Sequence, residues 1–147
     1  MPERVLIAAV LIAAGLGAYA LGTRWQVRRA GRRGEQGDPL LGALRPRVPA
    51  IIYFWSETCA PCKLVQRPAL ERLQADLGPD GVQVIAVDAL ERPELADGWG
   101  VLSVPTTFVL NASGRPRHVN HGVARAEQLK QQIERLHSGV PREAAYN

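Results

Sequence analysis

Ala50-Ile51-Ile52-Tyr53-Phe54-Trp55-Ser56-Glu57-Thr58-Cys59-Ala60-Pro61-Cys62-Lys63 changes character halfway along. Its first six residues are apolar, aromatic and β-branched, follow Pro49 and end at polar Ser56, the pattern of a short buried strand. Beyond Cys59 the spacing turns helical: Val65, Ala69, Leu70, Leu73 and Leu77 share one face, and Gly78-Pro79-Asp80-Gly81 stops the helix. Pro68 lies inside this helix and should kink it. The turn between strand and helix carries the chain's only two cysteines.

Downstream, residues 82–87 read as a second strand, and residues 91–99 as a short helix. Pro93 sits near that helix's start, where a missing N–H costs little. Residues 106–110 form a third predicted strand. Asn111-Ala112-Ser113-Gly114 is a hairpin-type turn, so residues 115–120 should pair back antiparallel. Ala126, Leu129, Ile133 and Leu136 mark a final amphipathic helix, ended by Ser138-Gly139 and Pro141. This order predicts an α/β fold: a mixed four-stranded sheet flanked by helices.

The 147-residue chain is 46% hydrophobic and 22% charged, which excludes an intrinsically disordered or collagen-like protein. Two cysteines are too few for a disulfide-dense scaffold or a four-cysteine zinc ribbon. Charge is uneven. Residues 1–47 hold eight arginines against three acids, net +5, and the remaining hundred residues are net −1. The basic character therefore belongs to the N-terminal third, and no nucleic-acid-binding face is expected on the rest.

Residues 5–22 are an uncharged apolar run of 18. As a helix it would span about 27 Å, close to a bilayer's hydrocarbon thickness. Trp25 follows where an interfacial aromatic would sit, and Arg28-Arg29 and Arg32-Arg33 can reach anionic head groups. The run predicts a single-pass transmembrane anchor over residues 1–23. Its rivals are a cleaved signal peptide, for which Ala18-Tyr19-Ala20 offers a small-x-small site, and a buried core helix. One arginine precedes the run and five follow it by Arg33, a bias that favours a cytoplasmic C-terminal flank. Residues 24–47 read as a basic juxtamembrane segment and a Gly/Pro-rich linker, with one helical turn near Leu40–Leu44. Residues 48–138 form the domain and 139–147 a flexible tail.

Cys59 and Cys62 flank Ala60-Pro61 at the start of a helix. Unpaired N–H groups and a partial positive charge there favour a thiolate, so the Cys59 thiol should titrate below the free value of about 8.5. Cys62, one turn further on, can attack a mixed disulfide on Cys59 and release the product. A disulfide closing four residues restrains little chain entropy, about 2 kcal/mol, so the pair suits redox exchange better than stapling. His118 and His121 could be counted with the cysteines as a zinc or copper set. Their spacing is short for that, and two strand residues three apart point to opposite faces. No metal and no organic cofactor is expected.

Residues 54–63 resemble the active-site segment of thioredoxin-like proteins. Val104-Pro105-Thr106-Thr107 resembles that family's cis-proline loop, and Gly122 its glycine before the last helix. The resemblance covers roughly residues 48–137. It implies thiol–disulfide exchange, with Cys59 as exposed nucleophile and Cys62 as buried resolving thiol. Trp55, Ala60, Pro61, Val104 and Pro105 would contact substrate, with Val104–Pro105 cis. Implied partners are protein disulfides or dithiols and an upstream redox protein. The chain is expected to be a monomer.

The chain departs from the family pattern. Tyr53 replaces the buried acid, Val84 the lysine near it and Thr58 the tryptophan before the nucleophile, and Pro68 falls one residue late. Glu57 could relay protons, though a solvated loop acid is the plainer reading. The resemblance points to an extracytoplasmic domain, against the arginine bias. With no histidine between the cysteines to stabilise the thiolate further, the expected role is reductant or electron carrier. The rival is a thioredoxin-fold binding or metal-delivery module.

Overall fold

A computed structural model describes residues 2–34 and 37–138. The predicted tail, 139–147, lies outside the described residues. In chain order the elements are α1 (Pro2–Gly34), α2 (Pro39–Gly42), β1 (Ala50–Trp55), a wide turn (Cys62–Gln66) leading into α3 (Arg67–Leu77), β2 (Gln83–Asp88), α4 (Pro93–Trp99), β3 (Thr106–Leu110), β4 (Pro116–His121) and α5 (Ala126–Ser138).

Among the described residues the strands form one sheet of order β2-β1-β3-β4. β1 pairs parallel with β2, Ile52 opposite Ile85, and antiparallel with β3, Ile52 opposite Phe108. β3 pairs antiparallel with β4, Phe108 opposite Val119. The mixed sheet is as the sequence predicts.

β1 reads as a continuous apolar run because both of its faces are covered. Ala50, Ile52 and Phe54 point into one core layer with Trp99, Phe108, Leu110 and Leu95. Ile51 and Tyr53 point into the other, with Leu70, Leu73, Leu129 and Ile133 of α3 and α5. Alternate strand residues serve opposite layers, as the period of two requires.

The segment read as a linker is folded onto the domain. Asp38 caps α2 by accepting from the Leu40 N–H at 2.8 Å, and its other oxygen accepts from Trp99 Nε1 at 3.0 Å. The Gln83 side chain, at the start of β2, accepts from Arg45 N and donates to the carbonyls of Arg45 and Val48. These bonds tether the chain just before β1, so the reach of an extended linker is not available to it.

α1 continues past the apolar run. Tyr19 meets His121 edge-on at 6.3 Å, Gln26 donates to the Gly100 carbonyl, and Val27 packs against the first core layer. Thr23 and Gln26 are buried on this contact, whereas Val5, Leu6, Ile7, Val10, Leu11, Ile12 and Leu16 are exposed. The apolar part of the helix thus projects beyond the domain.

Candidate functional site

β1 ends at Trp55, and the turn delivers Cys59 to the first turn of the next helix, where Ala60 and Pro61 are exposed. Cys59 is half-buried and Cys62 fully buried. The two are joined by a disulfide, S–S 2.07 Å with Cα atoms 5.3 Å apart. The Cys62 N–H points at Cys59 Sγ, 3.2 Å away. That donor is an orphan of a helix start, and a thiolate on Cys59 would accept it.

The Val104–Pro105 peptide is cis. Thr106, the next residue, pairs with Phe54 of β1, which brings the proline to the end of the sheet that carries the cysteines. Gly122 N donates to the Pro105 carbonyl at 2.9 Å, and Gly122 has φ of +79°, a conformation that favours glycine. Val104, Trp55 and Cys59 pack against the same buried cluster that holds Cys62 and Tyr53. The structure therefore gathers Trp55, Cys59, Cys62, Val104 and Pro105 at one end of the sheet. His118 and His121 lie on β4 instead, and the described residues contain no group of three or more metal-ligating side chains.

Pro68 does not simply kink the helix. The turn before it is wide: the Arg67 N–H reaches back five residues to the Cys62 carbonyl. Such a turn absorbs one extra residue in an otherwise α-helical run. This accounts physically for a proline that comes one position late. The Tyr53 hydroxyl donates to the same Cys62 carbonyl at 2.8 Å. Gln66, also fully buried, donates to the Ala124 carbonyl at 3.0 Å and accepts from its N–H at 2.7 Å, locking the wide turn to the loop before α5.

Burial pushes the Tyr53 phenol up to about 12, although the Arg67 guanidinium pulls the other way. The Tyr53 hydroxyl is therefore a donor at neutral pH and not a base. Its contribution to stability is complete below the ordinary phenol value of about 10 and is lost as pH rises through about 12. Tyr53→Phe should cost about 0.5–1.5 kcal/mol, the usual net worth of one hydrogen bond. It should leave the pH dependence of exchange between pH 5 and 8 unmoved. A shift of that profile in stopped-flow measurements would show that Tyr53 handles a proton.

Arg67 lies over the Trp55 ring, 4.8 Å from its centroid, and holds the indole at the rim of the site. Glu57 is exposed and paired with Lys63, in keeping with a solvated loop acid. Three features of this surround were missed in the sequence: the Gln66–Ala124 pair, the Tyr53–Cys62 bond and the wide turn. A polar Gln66 beside a displaced proline was the available signal.

The thioredoxin family model matches residues 43–135. Thioredoxin Y, chloroplastic, from Oryza sativa subsp. japonica is 30% identical over 131 residues, covering 86% of this chain and 75% of that relative. Thioredoxin from Alicyclobacillus acidocaldarius subsp. acidocaldarius is 33% identical over 91 residues, 62% of this chain and 84% of that relative. Among solved structures, chloroplastic thioredoxin z superposes with a TM-score of 0.61 at 23% identity over 72% of this chain and 91% of that one, a likeness of fold. With its paired cysteines at disulfide distance and its matched domain, the chain belongs to the thioredoxin family of oxidoreductases.

Proposed function

We propose that this chain is a membrane-tethered thiol–disulfide oxidoreductase that works as a reductant or electron carrier. The observation that carries the reading is a half-exposed Cys59 at a helix start, disulfide-linked to a fully buried Cys62. Cys59 attacks a protein disulfide as thiolate and forms a mixed disulfide. Cys62 then attacks Cys59 Sγ, closes the internal disulfide and expels the partner's thiolate. Trp55, Ala60, Pro61, Val104 and Pro105 line the approach, where an extended substrate segment can pair with backbone beside the cis proline. The exposed apolar residues of α1 support a transmembrane anchor, with the domain beginning near residue 37 and including the folded-back segment.

A Cys62→Ser chain offered a protein disulfide should accumulate a mixed disulfide at Cys59, read by mass spectrometry. Rapid release without accumulation would exclude Cys62 as the resolving thiol. Alkaline extraction of membranes tests the tether: the intact chain should stay with the bilayer, and a shortened soluble chain would identify residues 1–20 as a cleaved signal.

A further inference from the structure

Five arginines from three separate parts of the chain line one groove at the end of the domain away from the cysteines. Arg28 belongs to α1, Arg45 and Arg47 to the segment before β1, and Arg115 and Arg117 to the start of β4. The other end of β4 is the cysteine end, where His121 pairs with Thr106 beside the cis proline. Arg115 and Arg117 are exposed and Pro116 between them is buried, so the two arginines stand on one face. Asp38 is the only acid among the described lining residues, and its oxygens are taken by the Leu40 N–H and by Trp99 Nε1. Arg45 is held by the Pro79 carbonyl and by Asp80 at 3.8 Å. Among the described residues no ion pair engages Arg28, Arg47, Arg115 or Arg117. Unopposed like charges gathered in a concavity repel one another and raise the positive potential there, which an anion would relieve.

The backbone adds an independent observation. Arg47, with φ of +65°, is the only non-glycine in the left-handed region among the described residues, an uphill conformation for any residue with a Cβ. The Gln83 amide holds it there by bonding the backbone of Arg45 on one side and of Val48 on the other. A strained position kept by its surroundings and occupied by arginine where glycine would be easier is what a ligand clamp looks like. The groove is also built rather than splayed. Its half-buried floor is apolar, with Val27, Leu41 and Leu44, and Leu44 Cδ1 lies 3.5 Å from where a Cβ on Gly114 would stand, so the two walls touch.

We propose that this groove binds an extended acidic segment, with apolar residues interleaved, of a water-exposed partner protein. The proposal goes beyond the redox reading and does not depend on it. The cavity, about 1320 Å³, exceeds the usual small-molecule pocket of roughly 300–1,000 Å³. In an extended segment alternate residues face opposite ways, so carboxylates can meet the guanidinium forks while apolar side chains rest on the floor. A phosphate would need free backbone N–H groups, and those nearby are engaged: Leu40 N–H by Asp38, and the N–H groups of Ser113 and Arg115 by Asn111 Oδ1. The groove also faces away from the apolar part of α1. That helix meets the domain at Tyr19 and reaches the groove at Arg28, nine residues and about 14 Å further on. A second copy is not complementary, since the chain is net +4.

The test uses the full chain in phosphatidylcholine vesicles and a short fluorescein-labelled peptide of alternating glutamate and leucine, read by anisotropy with the signal on empty vesicles subtracted. Reversing Arg115→Glu with Arg117→Glu should weaken binding at least tenfold. Reversing Arg72→Glu with Arg135→Glu, an equal change of net charge on α3 and α5, should weaken it less than twofold. Equal losses would mean diffuse attraction and overturn the groove. Arg115→Gln with Arg117→Gln, a milder pair expected to cost at least fivefold, keeps the test decisive if the reversed pair does not fold, as judged by its urea midpoint. A peptide with serine in place of leucine should bind at least threefold more weakly, and equal binding overturns the interleaved apolar residues. Inorganic tripolyphosphate that binds more tightly than the peptide overturns the polypeptide in favour of a phosphate ligand. A fluorophore at Ser113→Cys, in a Cys59→Ser, Cys62→Ser background, should escape quenching by phosphatidylserine spin-labelled at the head group. Strong quenching there assigns the groove to lipid and overturns the proposal.

Discussion

A Cys59→Ser chain should lose protein-disulfide reduction by a factor on the order of 10³ or more, as removal of a nucleophile does when no other group can replace it. A serine hydroxyl cannot form an anion at the helix start at neutral pH, and Cys62 cannot substitute for it. Cys62 is fully buried, with Tyr53 over its carbonyl and the wide turn behind it. The fold should survive. Loss of the four-residue disulfide loop removes about 2 kcal/mol of restraint relative to the oxidised chain, and essentially nothing relative to the reduced one. Turnover measured with a dithiol reductant, alongside denaturant midpoints of reduced wild type and variant, separates the two effects. Retained turnover in a pure Cys59→Ser preparation would sink the assignment of the nucleophile.

Trp99→Ala should be the most damaging single change to stability. Trp99 is fully buried, edge-on to Phe108 at 5.0 Å between ring centroids and 6.2 Å from Phe54. Truncating such a ring costs about 3–5 kcal/mol through lost transfer energy and the cavity left behind. The variant also strands the buried Asp38 oxygen that accepts the indole N–H at 3.0 Å. A carboxylate left without a donor in a buried site adds to the cost. The damage should reach the segment before β1, because α2 is docked by the Asp38–Trp99 bond and by Leu40 in the same core layer as Trp99. Urea unfolding should show the loss as a lowered midpoint, and hydrogen exchange should show residues 38–44 opening first. A loss under 1 kcal/mol would mean the indole is not the keystone of this layer.

These two sites were not equally legible in the sequence. Cys59 and Cys62 could be placed because the change from strand to helical spacing around them is local, and a helix start has predictable chemistry. Pro105 was placed by its resemblance to a known loop. The buried strands were equally plain, since β1 covered on both faces leaves an unbroken apolar run. Asp38 was not legible. It sits in a Gly- and Pro-rich stretch where an acid reads as a turn former, and its decisive bond runs to a residue 61 positions away. Gln66 was hidden for the same reason, its partner Ala124 being 58 positions on. The displaced Pro68 announced a disturbance but could not say that a wide turn, anchored by Tyr53, would absorb it. Hydropathy marked α1 as apolar, but not that Tyr19 and Gln26 of the same helix contact the domain.

The most direct test of the central claim is equilibration of the full chain with defined ratios of reduced and oxidised glutathione, read by alkylation and mass. The account predicts one reversible two-electron couple at Cys59–Cys62 with a potential near about −270 mV, the thioredoxin range. A potential near about −120 mV would contradict the reductant role, and cysteines that never equilibrate would contradict disulfide exchange itself.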